Sequence, residues 1–241
     1  LGARKRDRGV GFLAGDLVTQ VCLLVVAKAP VPGLAKTRLA ATLGDQKAAE
    51  IAAAALLDTL DVVARTPAAA RVVAMTGDLD SAACADEIRS RLDAFTVLPQ
   101  RGDGFADRLA NAHLDAAAAT GGLPIIQIGM DTPQVDPDRL TRCADALSDH
   151  DAALGMALDG GWWVLGVRDA AQADCLRSVP MSEPDTGAVT LEALRHTHHR
   201  VALLEELADV DTIADIRGVR RACAPQSRFW HVTADVSTGE D

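Results

Sequence analysis

No apolar run in the sequence approaches the ~20 residues that cross a bilayer, so no membrane-spanning helix is expected. Basic residues are in deficit: 24 Lys and Arg against 34 Asp and Glu leave a net charge of -10. That is the wrong sign for a general grip on a phosphate backbone, and no nucleic-acid partner is expected. Cysteine is sparse. Cys22, Cys84, Cys143, Cys175 and Cys223 are odd in number, widely spaced and free of any C-x-x-C pair, which indicates neither a zinc site nor a disulfide framework and fits a reducing cytoplasm. The G-x-x-x-x-G-K-[ST] phosphate loop, the G-x-G-x-x-G dinucleotide turn and the G-x-S-x-G hydrolase elbow are all missing. Internal repeats and Ser/Gly-rich linkers are missing too.

What is present is a chain of 241 residues, 49% hydrophobic, long enough to bury a full core. Short apolar runs at Val21–Val26, Arg71–Met75, Phe95–Leu98, Pro124–Ile128, Ala152–Leu158, Trp162–Val167 and Arg200–Leu204 read as strands. Between them Asp45–Arg65, Ser81–Leu92, Asp107–Ala119, Asp136–Leu147, Thr186–Arg195 and Asp211–Arg221 read as helices, an alternation that predicts an α/β fold with a mostly parallel sheet. Ala48, Ile51, Ala55, Leu56, Thr59, Leu60 and Val63 form one stripe, so the alanine-rich segment predicts a close-packed helix rather than low complexity. Residues 1–20 form an extension in which Arg4, Lys5, Arg6 and Arg8 precede an apolar stretch. Asp16 and Gln20 interrupt that stretch and no A-x-A-like site follows, so a signal peptide is not expected and the cytoplasm is. A single domain is expected over 21–223, followed by a tail over 224–241 that loses periodicity, ends in STGED and is expected to be mobile, unless Phe229 and Trp230 dock it on the body.

In open α/β sheets the working site lies at the carboxyl ends of the strands. Four segments fall there. AKAPVPGLAKTRLA, Ala27–Ala40, follows a buried strand. Gly33 lets backbone approach a ligand, while Lys36 and Arg38 at the start of a helix can reach phosphate oxygens; a solvated basic helix start is the plainer reading. PIIQIGMDTPQV places Asp131 at a strand's end, where a carboxylate holds a divalent cation or merely caps a turn. ALDGGWWVLGV sets Asp159 before Gly160 and Gly161, with Trp162 and Trp163 on opposite faces of the next strand; a plain hairpin uses D-G-G as well. In ELADVDTIADI, Asp211 and Thr212 precede the last helix and read first as its N-cap. His196, His198 and His199 read as a solvated helix end, and Cys175 has no paired histidine motif.

In this order AKAPVPGLAKTRLA, LPQRGDGFADRL, IGMDTP, LGMALDGGWWVLGV, VPMSEP and LLEELADVDTIADI resemble a bacterial family of GT-A-type nucleotide-diphospho-sugar transferases that includes a group assigned to arsenosugar biosynthesis. The resemblance implies a GT-A fold, a Rossmann-like three-layer sandwich around a mostly parallel mixed sheet. It also implies a nucleotide wrapped by Ala27, Lys28 and Gly33, with Lys36 and Arg38 on its phosphates and Gln100 and Gly102 beside the base. Asp131 and Asp211 would hold Mg²⁺ or Mn²⁺ with the diphosphate. Asp159 would act as base for an acceptor hydroxyl or position the sugar, beside Gly160, Gly161 and Trp162. The implied activity moves a sugar from a nucleotide-diphospho-sugar to a small-molecule acceptor, in a chain able to form a homodimer. Two other activities fit the same motifs. One joins an NTP to a phosphorylated small molecule and releases pyrophosphate; the other is nucleotide binding without turnover. The chain departs from the family at Met130, Thr132 and Gln134 of a usual G-S-D-C-P-G, at Ala106 for a glycine, at VPMSEP, and at Trp162 and Trp163 for tyrosines. These departures alter the acceptor side.

Overall fold

The computed structural model describes residues 18–197 and 200–236. The basic segment and Asp16 of the N-terminal extension, His198 and His199, and the terminal STGED lie outside the described residues. Seven strands, β1 Thr19–Lys28, β2 Ala68–Thr76, β3 Thr96–Pro99, β4 Ile125–Ile128, β5 Ala152–Met156, β6 Trp162–Val167 and β7 Val201–Leu203, form one sheet in the order β3-β2-β1-β4-β6-β5-β7. All seven correspond to apolar runs in the sequence. Pairing is parallel for β1 with β2 and β4, for β2 with β3 and for β5 with β7. Only β6 runs against its neighbours, so the carboxyl ends of the other six open onto one edge. The strand order reverses between β1 and β4, and the loops that leave these two adjacent strands flank the crevice where such folds bind ligands.

Helices cover both faces, which is why β1 reads as a continuous apolar run instead of an alternating one. On one face α2 (Asp45–Arg65), α3 (Ala85–Leu92) and α5 (Pro137–Ala146) pack Leu56, Leu60, Ile88 and Leu140 over Leu23, Val25 and Ile126. On the other, α4 (Phe105–Thr120), a 3₁₀ segment at Ala170–Ser178 and α6 (Thr186–His196) pack Leu109, Leu176 and Leu194 over Leu24 and Val72. The alanines of α2 are core: Ala48, Ala49 and Ala53 are fully buried, their small side chains letting the helix lie close to its neighbours.

Differences from the sequence reading have local causes. The strand expected to reach Leu158 ends at Met156 because Ala157–Gly161 closes a turn, with Ala157 N–H on Gly161 O at 3.0 Å. The helix expected from Ser81 starts at Ala85, after a 3₁₀ turn capped by Asp78. The helix start expected at Lys36 and Arg38 is a separate short helix, α1 (Thr37–Leu43), whereas the 3₁₀ segment and α8 (Arg228–Val232) show no helical period in the sequence. The carboxyl-terminal segment docks through α7 (Ile213–Ala222) and α8: Phe229 is fully buried against Ile51, Ala55, Ile216 and Val219. Asp58, 7% exposed in the middle of α2, accepts the backbone N–H groups of Arg228 at 3.0 Å and Phe229 at 2.8 Å. Asp58→Ala strands both donors and is expected to cost about 2 kcal/mol, read as a lower urea midpoint. An unchanged midpoint would mean that α8 is not held by this carboxylate.

His113 on α4 is completely buried; its Nδ1–H donates to Leu109 O at 3.0 Å, and Nε2 has no partner among the described residues. Burial drives its pKa from the ordinary 6.5 down to about 4, against a smaller upward pull from the Leu109 carbonyl. A group depressed in the folded state binds its proton more readily when unfolded. His113 therefore adds stability fully above pH 6.5 and loses it as pH falls through about 4. The loss amounts to roughly 3 kcal/mol at the acid limit. Urea midpoints compared at pH 7 and pH 4 should fall further in the parent than in His113→Gln, because depressed carboxylates such as Asp61 weaken both on acidification and only the parent carries the His113 loss.

Candidate functional site

The loop from β1 into α1 begins the site. Ala27 is buried, and its carbonyl accepts the Gln100 amide at 2.8 Å; the same amide donates to Ala74 O at 2.9 Å. Gln100 thus ties the ends of β1 and β2 together, and its N–H groups are committed to backbone. Gly102, at φ 132, packs so tightly on the first turn of α4 that a Cβ would sit 2.8 Å from Asp107 Cβ. The Lys28 ammonium braces the loop by donating to Leu34 O at 2.8 Å, and Gly33 turns the chain at φ 77.

Lys36 stands at the head of α1 in the left-handed region, φ 46 and ψ 52; its carbonyl accepts Ala40 N–H at 2.9 Å, but its side chain makes no cap bond to that helix. A residue with a Cβ adopts this conformation at a cost of about 1 kcal/mol, and such outliers gather at working sites. Its ammonium instead lies 2.7 Å from Asp131 Oδ2, with the lysine side chain 14% exposed. Burial alone would lower the Lys36 pKa. The nearby Asp131 carboxylate, with Asp211 and Asp209 behind it, outweighs that and holds it above the usual range. Arg38 pairs with Asp211 too, but at the surface, with the arginine side chain exposed.

Neither aspartate serves as a cap. The N-cap of α5 is Asp136, which accepts from Arg139 N at 2.8 Å, so Asp131 is free for Lys36. At α7 the Asp215 carboxylate accepts the N–H of Thr212 at 2.6 Å and that of Asp211 at 3.1 Å, leaving the Asp211 side chain to Arg38. The two turns are stitched together by Val210 N–H on Asp131 O at 3.2 Å. Two further bonds, Leu207 N–H to Met156 O at 3.2 Å and Leu158 N–H to Leu207 O at 3.0 Å, bring the β5–β6 turn to the same place.

That stitching introduces a residue the sequence reading missed. Asp209 is pushed up to about 6 by burial first, then by the charges of Asp131 and Asp159, with Lys36 acting in the opposite sense. Its signal was the D-V-D spacing of Asp209 and Asp211; the reading took only the second. The acidic side chains thus form a field around one ammonium group. Among the described residues no group of three or more His, Cys, Asp or Glu is arranged to hold a metal ion. Mg²⁺ and Mn²⁺ are commonly held by one or two carboxylates with phosphate oxygens completing the shell, and Asp131 and Asp211 are the carboxylates that could serve so here. The Lys36 ammonium is the cation standing on Asp131 in this structure.

The third loop is fixed by its aspartate and packed through its glycines. Asp159 Oδ1 accepts the Gly161 N–H at 2.8 Å, fixing the carboxylate over the turn while the side chain stays exposed. Gly160, at φ 93, lies against the Met181–Asp185 segment: a Cβ there would fall 1.7 Å from Pro184 O, and its carbonyl accepts Gly187 N–H at 2.8 Å. The pair serves close packing, not a display of free amides. Trp163 is core and donates Nε1–H to Glu205 O at 2.9 Å, whereas Trp162 packs, half-buried, against the α4 and α6 cluster. All five cysteines are free thiols, and burial pushes Cys22, Cys143 and Cys223 up to about 12, so none of these three is a ready nucleophile. Among the described residues no helix is long and apolar enough to cross a membrane.

Comparison with known proteins places this geometry. No curated protein matches the sequence. A protein of Desulfovibrio desulfuricans G20, provisionally assigned as a nucleotide-diphospho-sugar transferase, superimposes with a TM-score of 0.79 at 25% identity, over 90% of this chain and 95% of that one. Rv0371c of Mycobacterium tuberculosis H37Rv, solved in complex with manganese, gives 0.51 at 22% identity over 83% and 98%. A cytidylyltransferase of Leptospira borgpetersenii serovar Hardjo-bovis gives 0.54 at 15% over 92% and 98%; these last two likenesses are of fold. The fold is therefore the Rossmann-like α/β sandwich shared by nucleotide-sugar transferases and cytidylyltransferases. Residues 59–183, more than half of the chain and including Gln100, Asp131 and Asp159, match the model of the family described as "Uncharacterized protein conserved in bacteria (DUF2064)", and the chain belongs to that family.

Proposed function

We propose that the protein is a metal-dependent glycosyltransferase that moves a sugar from a nucleotide-diphospho-sugar to a small-molecule acceptor. The observation that carries this reading is the convergence of Lys36 and Arg38, from one loop at the switch point of the sheet, on Asp131 and Asp211. Such an arrangement offers cations to one side of a diphosphate and carboxylates to the other. The closer match in sequence and TM-score to the Desulfovibrio protein than to the cytidylyltransferase favours sugar transfer over nucleotidyl transfer.

A divalent cation held by Asp131 and Asp211 would neutralise charge on the departing diphosphate. The chain's own part is to place Lys36 and Arg38 where that charge grows, which is worth most in a site shielded from water. Asp159, fixed by Gly161 N–H through one oxygen, has no hydrogen-bond partner for the other among the described residues and is the candidate base for the acceptor hydroxyl. Asp209 keeps the field on this side acidic. In this reading Gln100, which holds β1 to β2, would shape the nucleotide's side of the crevice, with Ala27, Lys28, Gly33 and Gly102 beside it.

Two measurements test the reading. UDP or GDP with Mn²⁺ should raise the melting temperature by several degrees, as a ligand at about 100 times its Kd does. A panel of nucleotide-sugars should then show slow, metal-dependent release of free nucleoside diphosphate. Pyrophosphate release from an NTP in the presence of a phosphorylated acceptor would replace sugar transfer by nucleotidyl transfer. Tight nucleotide binding with no product from any mixture would leave a non-catalytic binding protein.

A further inference from the structure

Lys36 has two claims on its ammonium group. The diphosphate reading above assigns it to phosphate, but in the structure it is bound to the carboxylate that the same reading gives to the metal, at 2.7 Å and 14% exposed. Arg38 occupies Asp211 likewise. Both carboxylates are thus held by cations at the junction of this loop with α1, and the left-handed backbone at Lys36, whose side chain makes no cap bond to α1, accompanies that contact. An ammonium ion and a divalent cation compete for the same oxygen and repel each other at this range. Asp131 can take the metal only when Lys36 has another anion to go to. Diphosphate oxygens are that anion, because lysine binds them as a mobile point charge.

We propose that this loop is an electrostatic latch: Lys36 on Asp131 keeps bare divalent cations out, and the site takes its cation only together with a nucleoside diphosphate. The phosphates accept Lys36 and Arg38 as the metal takes the carboxylates, so each ligand raises the other's affinity by the same factor. This inference rests on the diphosphate reading, yet it makes a separate demand on the protein without nucleotide. Removing the ammonium should open the site to the bare ion.

The test is calorimetric titration with MnCl₂ alone, then with UDP or GDP present, on the parent, Lys36→Met and Lys36→Gln. The parent is expected to bind bare Mn²⁺ weakly, and both variants at least about tenfold more tightly. Adding Asp131→Asn to Lys36→Met should erase the gain. Lys47→Met, which removes a lysine paired with Asp235 outside the site, should produce none. Two variants of different polarity guard against one failing to fold, which a melting curve reveals. Bare Mn²⁺ bound no more tightly by the folded Lys36 variant, a gain that survives Asp131→Asn, or an equal gain in Lys47→Met would each overturn the latch. The parent binding Mn²⁺ with nucleotide while Lys36→Met shows no gain would overturn the latch alone. No binding of nucleotide under any condition would overturn the diphosphate reading, and with it nucleotide as the key.

Discussion

Asp131→Asn is expected to lower kcat by about a thousandfold while the protein still folds, the scale on which loss of a preorganised charge at a developing anion acts. Asparagine keeps the shape of the side chain and can still accept from Lys36, so the turn after β4 should hold, anchored as it is by Val210 N–H on Asp131 O. What disappears is the negative charge that the cation requires. Thermal stabilisation by UDP or GDP with Mn²⁺ should vanish in parallel, while the melting temperature without ligand moves little. Were the variant to retain kcat within about tenfold, the cation would have to sit elsewhere and the proposed site would fail. Once the acceptor is known, Asp159→Asn separates base from positioner. A base loses kcat and the acid limb of its pH profile, whereas a positioning residue changes KM for the acceptor.

The second large effect is structural. Gly160→Ala should destabilise the protein by about 4 kcal/mol, the sum of a strained left-handed backbone and an overpacked contact. Its Cβ would be 1.7 Å from Pro184 O and 2.6 Å from Pro184 C, both backbone atoms that no rotamer change can move aside. The natural control is Gly44, at φ 82, where an added Cβ would meet nothing within 4 Å. Gly44→Ala should cost only the backbone part, about 2 kcal/mol. Equal urea midpoints for the two variants would remove the packing explanation. If Gly160→Ala relieves the clash by lifting Met181–Asp185, stability will recover partly, but the Gly187 N–H bond to Gly160 O is broken and acceptor use should suffer more than nucleotide binding.

These two positions mark how far the sequence could be read. Asp131 was legible because a carboxylate following a buried apolar strand stands at the sheet's working edge whatever the details. Gly160 was legible as a turn, but its reason was not, since Pro184 is distant in sequence and only the folded chain brings it to the turn. Trp162 shows the same limit. Alternation along β6 correctly divided the two tryptophans between faces, and only the packing of α4 and α6 decided that the one not in the Trp163 core is covered by apolar side chains. Asp211 was ambiguous for a physical reason: a carboxylate before a helix is usually its cap, and it took the bonds from Thr212 and Asp211 N–H to Asp215 to assign that duty elsewhere.

The sequence by itself determined the strands, the long helices, the edge of the sheet onto which the loops open, and the charged residues that those loops carry. These follow from periodicity and from residue type, which are local properties. The tertiary structure decided who pairs with whom. Lys36 reaches Asp131 and Arg38 reaches Asp211 across separations of 95 and 173 residues, and Asp209 acquires its raised pKa from burial first and then from charges on other loops. Coulomb forces and desolvation depend on distance in space, and a linear pattern carries no such distance.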